Sequence, residues 1–438
     1  MLGIKNILIV GGGTSGYLSV YYLLKKFPNI NITWIYPEIN NTIGVGEATI
    51  PYVTRFLRDL GIDLETILSD CDGSIKLGLN FEDFYEKGKS FNHGFGDGDG
   101  LKFGLINNYL ISNDLVNEKL LKSKFNYAVH FDVKKLTSYL DANIEKYSNI
   151  NIIREEIGEI SKDDFGNIIS IGDFKADFFI DCTGFDRLLI NNVCKDNFVD
   201  ITDKIPNNSA LIYRGNYTNR EKQFKAYTTA KAMNYGWCWH IPLKNQLSLG
   251  YVHDDKYDVL DEFKKHLENI FGEISDKDIY KIKMKTGRNR EHICKNTMSI
   301  GLSSCFIEPL ESTGLFFVVF NIELLGKYLN NKINANTANN LINNNFDVTI
   351  DFILAHYIGS KNSNKYWGFY KDKKIKYFQN SNLFGYSNWY MILKGMCRMD
   401  ILKKYIGNNK MKELDIYEKY IYKNGVEGSV DYNKYYFR

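Results

Sequence analysis

The stretch Asn6-Ile-Leu-Ile-Val-Gly-Gly-Gly-Thr-Ser-Gly16 decides the fold of this 438-residue chain. The apolar run over residues 6–10 is typical of a buried parallel strand, and glycines follow it in a tight turn. Residues 17–26 have helical apolar spacing, and residues 31–36 have the pattern of a second buried strand. Strand, turn, helix and strand form a βαβ unit. We therefore predict an α/β fold with a Rossmann-like nucleotide-binding domain.

The glycines of this turn follow the pattern Gly11-x-Gly13-x-x-Gly16 and predict a dinucleotide site. The first allows the tight turn, the second lets the backbone approach a pyrophosphate, and the third permits close packing of helix on strand. The positive end of the helix dipole then faces the phosphates. Glycine-rich turns also occur for packing alone, so the flanking strand and helix give the motif its weight. The predicted cofactor contacts in this segment are Gly11, Gly13, Thr14, Ser15 and Gly16.

The adenosine end of the predicted site departs from the usual pattern. Tyr36 ends the second strand, where an acid that binds the ribose is expected, and the nearest acid is Glu38. Either Glu38 reaches the ribose or another group does. FAD is favoured over NAD because residues 181–184 and 301–314 look like later FAD-contacting segments of two-domain flavoproteins, and no second GxGxxG is present. The reductant is then expected as reduced flavin made by a separate flavin reductase.

Composition excludes several other classes of protein. The net charge is only +3 and the charged residues are scattered, which favours a solvated mixed surface over a nucleic-acid face. No run of about 18 apolar residues and no leader segment occurs, so no membrane association is expected. The seven cysteines contain no CxxC pair, and the histidines lack ligand spacing. We expect a cytoplasmic protein without a metal site, for which both a monomer and a homo-oligomer stay open.

The rest of the chain divides by its hydrophobic pattern. Residues 76–100 and 205–255 alternate apolar and polar side chains, which predicts antiparallel strands of a second sheet. The predicted organisation is an FAD-binding module over residues 1–330, interrupted by a substrate-facing sheet at about 76–130 and 205–255, and a mainly helical region over 331–438. The Lys/Tyr-rich tail from about residue 410 has no pattern that assigns it an element. Further predicted elements are strands at 177–184 and 298–302 and a helix at 314–329.

Three segments carry a resemblance to a known family. They are Gly44-Val-Gly-Glu-Ala-Thr-Ile-Pro51, Trp237-x-Trp239-x-Ile241-Pro242, and Gly301-x-Ser303-x-x-Phe306-x-x-Pro309-Leu-Glu-Ser-Thr-Gly314. Together they strongly resemble the flavin-dependent tryptophan halogenases, and the resemblance extends from the N-terminus to about residue 370. It implies a two-domain flavin monooxygenase type of fold, with FAD, used as FADH2, and a halide ion as cofactors.

The resemblance also implies a reaction in two chambers. In that family, reduced flavin, oxygen and halide give hypohalous acid, which travels through a tunnel to a lysine beside an aromatic substrate. A carboxylate there removes the ring proton or polarises the acid. The lysine holds the acid by a hydrogen bond or as a haloamine. By resemblance the catalytic pair is Lys76 and Glu311, the halide site is Thr313 and Gly314, the tunnel wall is Trp237 and Trp239, and further cofactor contacts are Gly46, Glu47, Ala48, Gly184 and Gly301.

The substrate side departs from the family pattern. His93-Gly-Phe-Gly96 resembles the loop whose aromatic residues cover the indole, which makes His93 and Phe95 candidate substrate-binding residues. The segment that clamps the amino acid in the tryptophan enzymes has no clear counterpart here. We therefore predict an open site for indole- or phenol-like molecules and not for free tryptophan. Such a site is also hypothesised to favour bromide or iodide over chloride.

Each candidate has a plain structural alternative. Lys76 alone would be a solvated edge residue, Glu311 a helix N-terminal acid, and the two tryptophans ordinary core. Glu47 either caps a helix predicted over residues 48–60 or contacts flavin. Two other functions stay open, namely a flavin-dependent aromatic hydroxylase and a flavin-binding protein without turnover.

Overall fold

The computed structural model describes residues 3–38, 46–96, 101–122, 127–376 and 383–436. Gly44 and Val45 of the quoted motif lie outside these ranges. The strands of the described residues, in chain order, are β1 Asn6–Val10, β2 Asn31–Ile35, β3 Glu47–Ala48, β4 Ser74–Lys76, β5 Gly78–Glu82, β6 Ser90–Gly94, β7 Leu115–Asn117, β8 Ala128–Phe131, β9 Ile150–Ile153, β10 Ile160–Lys162, β11 Ile168–Ile171, β12 Phe174–Lys175, β13 Phe178–Asp181, β14 Phe198–Asp200, β15 Ser209–Asn216, β16 Tyr227–Met233, β17 Gly236–Pro242, β18 Gln246–His253, β19 Tyr280–Lys283, β20 Gly287–Asn289, β21 Ile293–Cys294, β22 Thr297–Ser299, β23 Cys305–Phe306 and β24 Ser429–Asp431.

The same residues form sixteen α-helices, seven of which lie in the C-terminal third. They are α1 Thr14–Lys26, α2 Pro51–Asp59, α3 Leu64–Asp70, α4 Leu101–Ser112, α5 Glu118–Lys122, α6 Val133–Ile144, α7 Ile190–Val193, α8 Arg220–Gln223, α9 Leu260–Phe271, α10 Gly314–Leu329, α11 Ala335–Ala355, α12 Lys365–Gly368, α13 Tyr386–Gly395, α14 Met399–Ile406, α15 Asn408–Asn424 and α16 Tyr432–Tyr436. Short 3-10 turns occur at Gly184–Asp186, Asp276–Asp278, Gly301–Ser303 and Pro309–Glu311.

The first large layer is a six-stranded sheet in the order β21-β22-β13-β1-β2-β9. β1 lies inside it and pairs in parallel with β13 and β2, and β22 and β9 continue the parallel part. All of β1 except Asn6 is buried, which explains its unbroken apolar run. The predicted Rossmann-like βαβ unit is therefore confirmed. β2 ends at Ile35, one residue before the predicted end at Tyr36.

The second large layer is a seven-stranded sheet in the order β19-β15-β18-β17-β16-β5-β6. Its pairs are antiparallel except that β5 runs parallel to β16. The predicted antiparallel arrangement is wrong at this pair, because two segments distant in sequence meet there and no hairpin sets their direction. The alternation along β17 turns Trp237 and Trp239 to one face and Cys238 to the other, where it packs in a cluster with Phe263 of α9.

The C-terminal third is mainly helical, as the sequence indicates. α10 has the predicted bounds, α11 packs against it, and α13 packs against β6 of the second sheet. The tail contains an element that the sequence did not indicate: β24 pairs antiparallel with β7. The proposed division of the chain at residue 330 stays a prediction. None of the helices in the described part of the chain is long and apolar enough to cross a membrane.

Candidate active site

The cofactor candidates lie around a cavity of about 610 Å³ that residues of both large sheets line. The turn after β1 and the start of α1 form one wall, and β15 and β17 contribute the opposite side. Thr183 of the predicted segment 181–184 also lines it, as do Glu156 and Ile157, to which no sequence motif pointed. Of the predicted cofactor contacts, those that line the cavity are Gly11, Gly13, Thr14, Ser15, Gly46, Glu47, Ala48, Gly184 and Gly301.

The glycine turn has the geometry that each glycine was predicted to allow. Gly11 has φ +116°, and a Cβ there would overlap the carbonyl oxygen of Cys182, the residue directly after β13. Gly16 lies behind the turn, where a Cβ would overlap the carbonyl oxygen of Gly11. Gly13 is the N-cap residue of α1, and a Cβ on it would meet no atom within 4 Å. The backbone at Gly13 is therefore open to a bound group at the positive end of the helix.

Two buried, unpaired polar atoms also fit a bound flavin and anion: one on a cavity-lining residue and one on a residue whose two chain neighbours line the cavity. Trp239 lines the cavity, and its Nε1–H has no hydrogen-bond partner among the described residues. The same holds for the hydroxyl of Thr313, which is buried between the cavity-lining residues Ser312 and Gly314. Buried donors are rarely left unpaired, because each costs about 1–3 kcal/mol. A cofactor and a halide would supply the missing partners.

Glu47 and Glu38 are the two acidic residues among the predicted cofactor contacts. Glu47 does not cap a helix: α2 begins at Pro51, and its N-cap residue Ile50 makes no side-chain cap. The capping alternative and the predicted start at residue 48 are therefore wrong, because Pro51 sets the first turn. Glu38 is exposed and is not among the residues lining the cavity, so its ribose contact stays a prediction.

Lys76 is fully buried at the end of β4, so the alternative of a solvated edge lysine is wrong. Its Nζ donates to the hydroxyl of Ser312 at 2.6 Å and lies 5.2 Å from the ring centre of Phe95. Burial lowers the pKa of the Lys76 ammonium to about 7, and the charge of Glu311 opposes this shift. A neutral amine, which is a nucleophile, is therefore accessible to Lys76 near neutral pH.

Glu311 is buried and binds two histidines. Nε2 of His356 lies 2.7 Å from Oε1 of the carboxylate, and Nδ1 of His93 lies 3.0 Å from it. Burial alone would raise the pKa of Glu311, but the two imidazoles outweigh it and hold the pKa well below its usual value. Glu311 lies three residues before Gly314, the first residue of α10, and whether it also complements the helix dipole stays a prediction. An ionised carboxylate is thus kept close to Lys76.

The substrate-binding role of His93 stays a prediction, and its side chain lies against the buried Glu311 carboxylate. His93 is buried, and its second ring nitrogen lies 2.9 Å from Oδ1 of Asn388 on α13. Phe95 is also buried, with its ring centre 6.3 Å from that of His93 and 5.2 Å from Nζ of Lys76. His356 was not singled out from the sequence as a partner of Glu311, because no local pattern links residues so far apart.

Ser312 joins the two sides of the site. It lines the cofactor cavity, and its hydroxyl accepts the hydrogen bond from Lys76. Its backbone has φ +57°, a left-handed conformation that is uncommon for a residue with a side chain. Trp237 and Trp239 also line the cavity, with ring centres 6.3 Å apart, so they are not only core residues.

One group of ligand-type side chains lies on the other face of β17. Cys238, His240 and His266 bring their donor atoms within 4.8 Å of one another. The two histidines face each other through Nε2 atoms 2.9 Å apart. Burial is the largest cause that lowers the pKa of both; His266 lowers that of His240 further, and the charge of Lys231 on the neighbouring strand lowers both. The positive charge of the Lys231 ammonium would repel a metal cation at this group. The absence of a metal site stays a prediction.

Comparison with known proteins places this geometry in a family. The family model described as tryptophan halogenase matches residues 6–118 and 105–399. The chain belongs to the tryptophan halogenase family. Tryptophan 6-halogenase SttH of Streptomyces toxytricini is 30% identical over 428 residues, covering 85% of this chain and 81% of that protein. Tryptophan 7-halogenase RebH of Lentzea aerocolonigenes is 30% identical over 422 residues, covering 85% of this chain and 80% of that protein.

Solved structures agree with this assignment. The crystal structure of SttH has a TM-score of 0.81 at 25% identity, covering 95% of this halogenase and 97% of that chain. BrvH, a flavin-dependent halogenase from Brevundimonas, has a TM-score of 0.83 at 21% identity, covering 99% of each chain, which shows the shared fold. The protein is thus a flavin-dependent halogenase, an oxidoreductase. Its predicted cytoplasmic location and its oligomeric state stay predictions.

Proposed function

We propose that this halogenase halogenates an indole- or phenol-like substrate with hypohalous acid that is made in the cofactor cavity and used at Lys76. Bound reduced FAD would supply the oxidising chemistry, with oxygen and a halide ion as co-reactants and a separate flavin reductase as its source. The observation that carries the proposal is the contact of Ser312 with both the cavity and the Lys76 ammonium.

The hydrogen bond between Lys76 and Ser312 marks a binding position for hypohalous acid. The acid is small, and it can take the place of the Ser312 hydroxyl as the partner of Nζ. As an ammonium, Lys76 donates a hydrogen bond to the acid; as a neutral amine, it attacks the halogen, forms an N–halogen bond and releases water. Its pKa of about 7 leaves both forms populated near neutral pH. In either form the halogen is held beside the aromatic Phe95.

Glu311 is proposed as the proton acceptor for the aromatic substitution. The ring carbon bonds to the electrophilic halogen, and the ring must then lose a proton to regain aromaticity. A carboxylate with a lowered pKa stays ionised and can accept that proton at any ordinary pH. The two histidines fix the carboxylate in orientation. The net change is substrate C–H plus hypohalous acid to C–halogen plus water, so atoms and charge balance.

Trp237 and Trp239 are proposed to separate the substrate from the cofactor. Both indoles line the cavity, and Ile241 of the same strand lines it beside them. A small acid can pass a wall that an aromatic substrate cannot. This separation distinguishes a halogenase from a flavin-dependent aromatic hydroxylase, where substrate and flavin share one chamber. The hydroxylase alternative also leaves the buried Lys76 without a role.

The substrate is proposed to be a simple aromatic rather than free tryptophan. On the α13 side of Glu311, Asn388 binds His93 and the Trp389 ring packs edge-on against Phe352. These contacts are aromatic and amide in character and carry no cation for an amino-acid carboxylate. The proposal includes a preference for bromide or iodide over chloride. Hypohalous acid has a short residence in an open site, which favours the halides that are more easily oxidised.

The test supplies FAD, a flavin reductase, NADH and oxygen with an equimolar mixture of chloride, bromide and iodide. Indoles, phenols and free tryptophan are screened by mass spectrometry, with a halide-free reaction as control. We expect halogenated indoles or phenols, and no product without halide. Hydroxylated product in the halide-free reaction would favour the hydroxylase. Tryptophan halogenated faster than every simple aromatic would contradict the proposed substrate class.

A further inference from the structure

The tail of the chain reaches the strand that carries Lys76. The hydroxyl of Tyr436 accepts a hydrogen bond from the backbone N–H of Ile75 at 2.7 Å, and the hydroxyl of Tyr432 donates to the carbonyl oxygen of Ile75 at 3.1 Å. These contacts join residues 361 and 357 positions apart. The residue they hold precedes Lys76 directly.

β4 needs such partners because it is an edge strand. It belongs to a three-stranded sheet in the order β3-β8-β4 and pairs with β8 on one side. Along an edge strand, alternate residues turn their backbone N–H and C=O away from the neighbour. Ile75 is fully buried, so these two groups would be left without water or strand partners. The two tyrosine hydroxyls satisfy both.

The tail is itself held in place. β24 pairs with β7, and the backbone N–H of Tyr432 donates to the carbonyl oxygen of Asp114 at 2.9 Å. The ring of Phe224 stacks on Tyr432 and meets Tyr436 edge-on, with ring centres 5.1 and 5.0 Å away. Tyr432 is buried in the main hydrophobic core. The packing of the tail therefore holds the hydroxyls of Tyr432 and Tyr436 in fixed positions.

We propose that Tyr432 and Tyr436 are positioning residues for Lys76. The inference rests on the proposed function and adds to it a role for the tail, which lies outside the motifs of the family. Immediately after Lys76 the backbone N–H of Leu77 donates to the carbonyl oxygen of Ala226 at 2.7 Å, so the chain is held on both sides of the lysine. Holding the Lys76 backbone limits where its long flexible side chain can place Nζ against Ser312.

The tail should affect how the hypohalous acid is divided between reaction with the substrate and escape from the enzyme. Oxidant formation depends on the cofactor cavity, which the tail does not line. Capture of the oxidant depends on the position of Nζ. Loss of the two hydroxyls should therefore leave oxidant formation nearly unchanged and let more of the hypohalous acid escape before it reaches the substrate.

The experiment compares wild type with Tyr432→Phe, Tyr436→Phe and the double variant, and uses Tyr435→Phe as the matched control. Tyr435 lies on the same helix, and its hydroxyl has no hydrogen-bond partner among the described residues. Hydrogen exchange of the Ile75 amide is measured by mass spectrometry without flavin or substrate. Halogenated product and scavenged hypohalous acid are then measured per reduced flavin consumed.

The Ile75 amide should exchange about fivefold faster in Tyr436→Phe than in wild type, as expected for the loss of one hydrogen bond. In the double variant the fraction of hypohalous acid that becomes halogenated product should fall at least about threefold, while flavin consumption stays unchanged. The control Tyr435→Phe should behave like wild type. The inference is overturned if the Ile75 amide exchanges at the wild-type rate in the variants. It is also overturned if the amide exchanges faster but the fraction of hypohalous acid that becomes product does not change. Wild type without halogenated product contradicts the proposed function instead, and the exchange result still decides whether the tail holds β4.

Discussion

Replacement of Lys76 by methionine should stabilise the protein at neutral pH while removing activity. A lysine with a pKa of about 7 in the folded chain and 10.5 in the unfolded chain must lose or desolvate its charge on folding. From these two values, linkage gives a destabilisation of about 4 kcal/mol at pH 7 and about 2 kcal/mol at pH 9. Methionine has a similar length and no charge, so the variant escapes this cost. Loss of the charge beside Glu311 reduces the gain, although His93 and His356 remain bound to that carboxylate.

The stability difference between Lys76→Met and wild type depends on pH with a definite sign. Between pH 7 and pH 10.5 the unfolded chain binds more protons at this lysine than the folded chain, so the unfolding free energy of wild type rises with pH. The advantage of Lys76→Met should therefore shrink by about 2 kcal/mol from pH 7 to pH 9. Urea denaturation at both pH values measures it, with Lys175→Met, a change at an exposed strand position, as the control. A difference from wild type that is the same at both pH values refutes a buried lysine with a lowered pKa.

Three further variants test other parts of the site. Glu311→Gln should lower kcat for halogenation about 100-fold with little change in the KM of the aromatic substrate, because the amide cannot accept the ring proton; a normal kcat speaks against its role as base. Thr313→Val should raise the KM for bromide about fivefold, because it removes an unpaired hydroxyl beside the cavity; an unchanged bromide KM places the halide elsewhere. Gly11→Ala should weaken FAD binding at least about tenfold in a fluorescence titration, since φ +116° and the Cys182 carbonyl leave no room for Cβ; unchanged affinity contradicts the described turn.

The cofactor half of the site was largely predictable because its chemistry is local in sequence. A parallel strand, three glycines and a helix are consecutive, and each glycine has one steric reason that the structure confirms at Gly11 and Gly16. The helix predicted over residues 314–329 has those bounds because an apolar run follows a glycine. The family resemblance then indicated Lys76, Glu311 and the two tryptophans; all four are buried, and the two tryptophans line the cavity.

The other half depends on contacts between residues distant in sequence. Glu311 takes its hydrogen bonds from residues 218 and 45 positions away, and neither separation leaves a periodic signal. Ser312 has a role only because its left-handed backbone turns it between the cavity and Lys76. The tail was unassigned for the same reason: Tyr432 and Tyr436 look like two aromatic residues in a polar segment until β24 pairs with β7.

The central claim is that oxidant made in the cofactor cavity is used at Lys76, and one partition measurement tests it most directly. Wild type and Lys76→Met are given reduced flavin, oxygen, bromide and indole, with an excess of a β-diketone that captures free hypobromous acid. We predict that wild type makes bromoindole and that Lys76→Met makes at least about 100-fold less, while the brominated β-diketone rises and flavin consumption stays the same. Bromoindole formed by Lys76→Met at the wild-type rate would contradict the account.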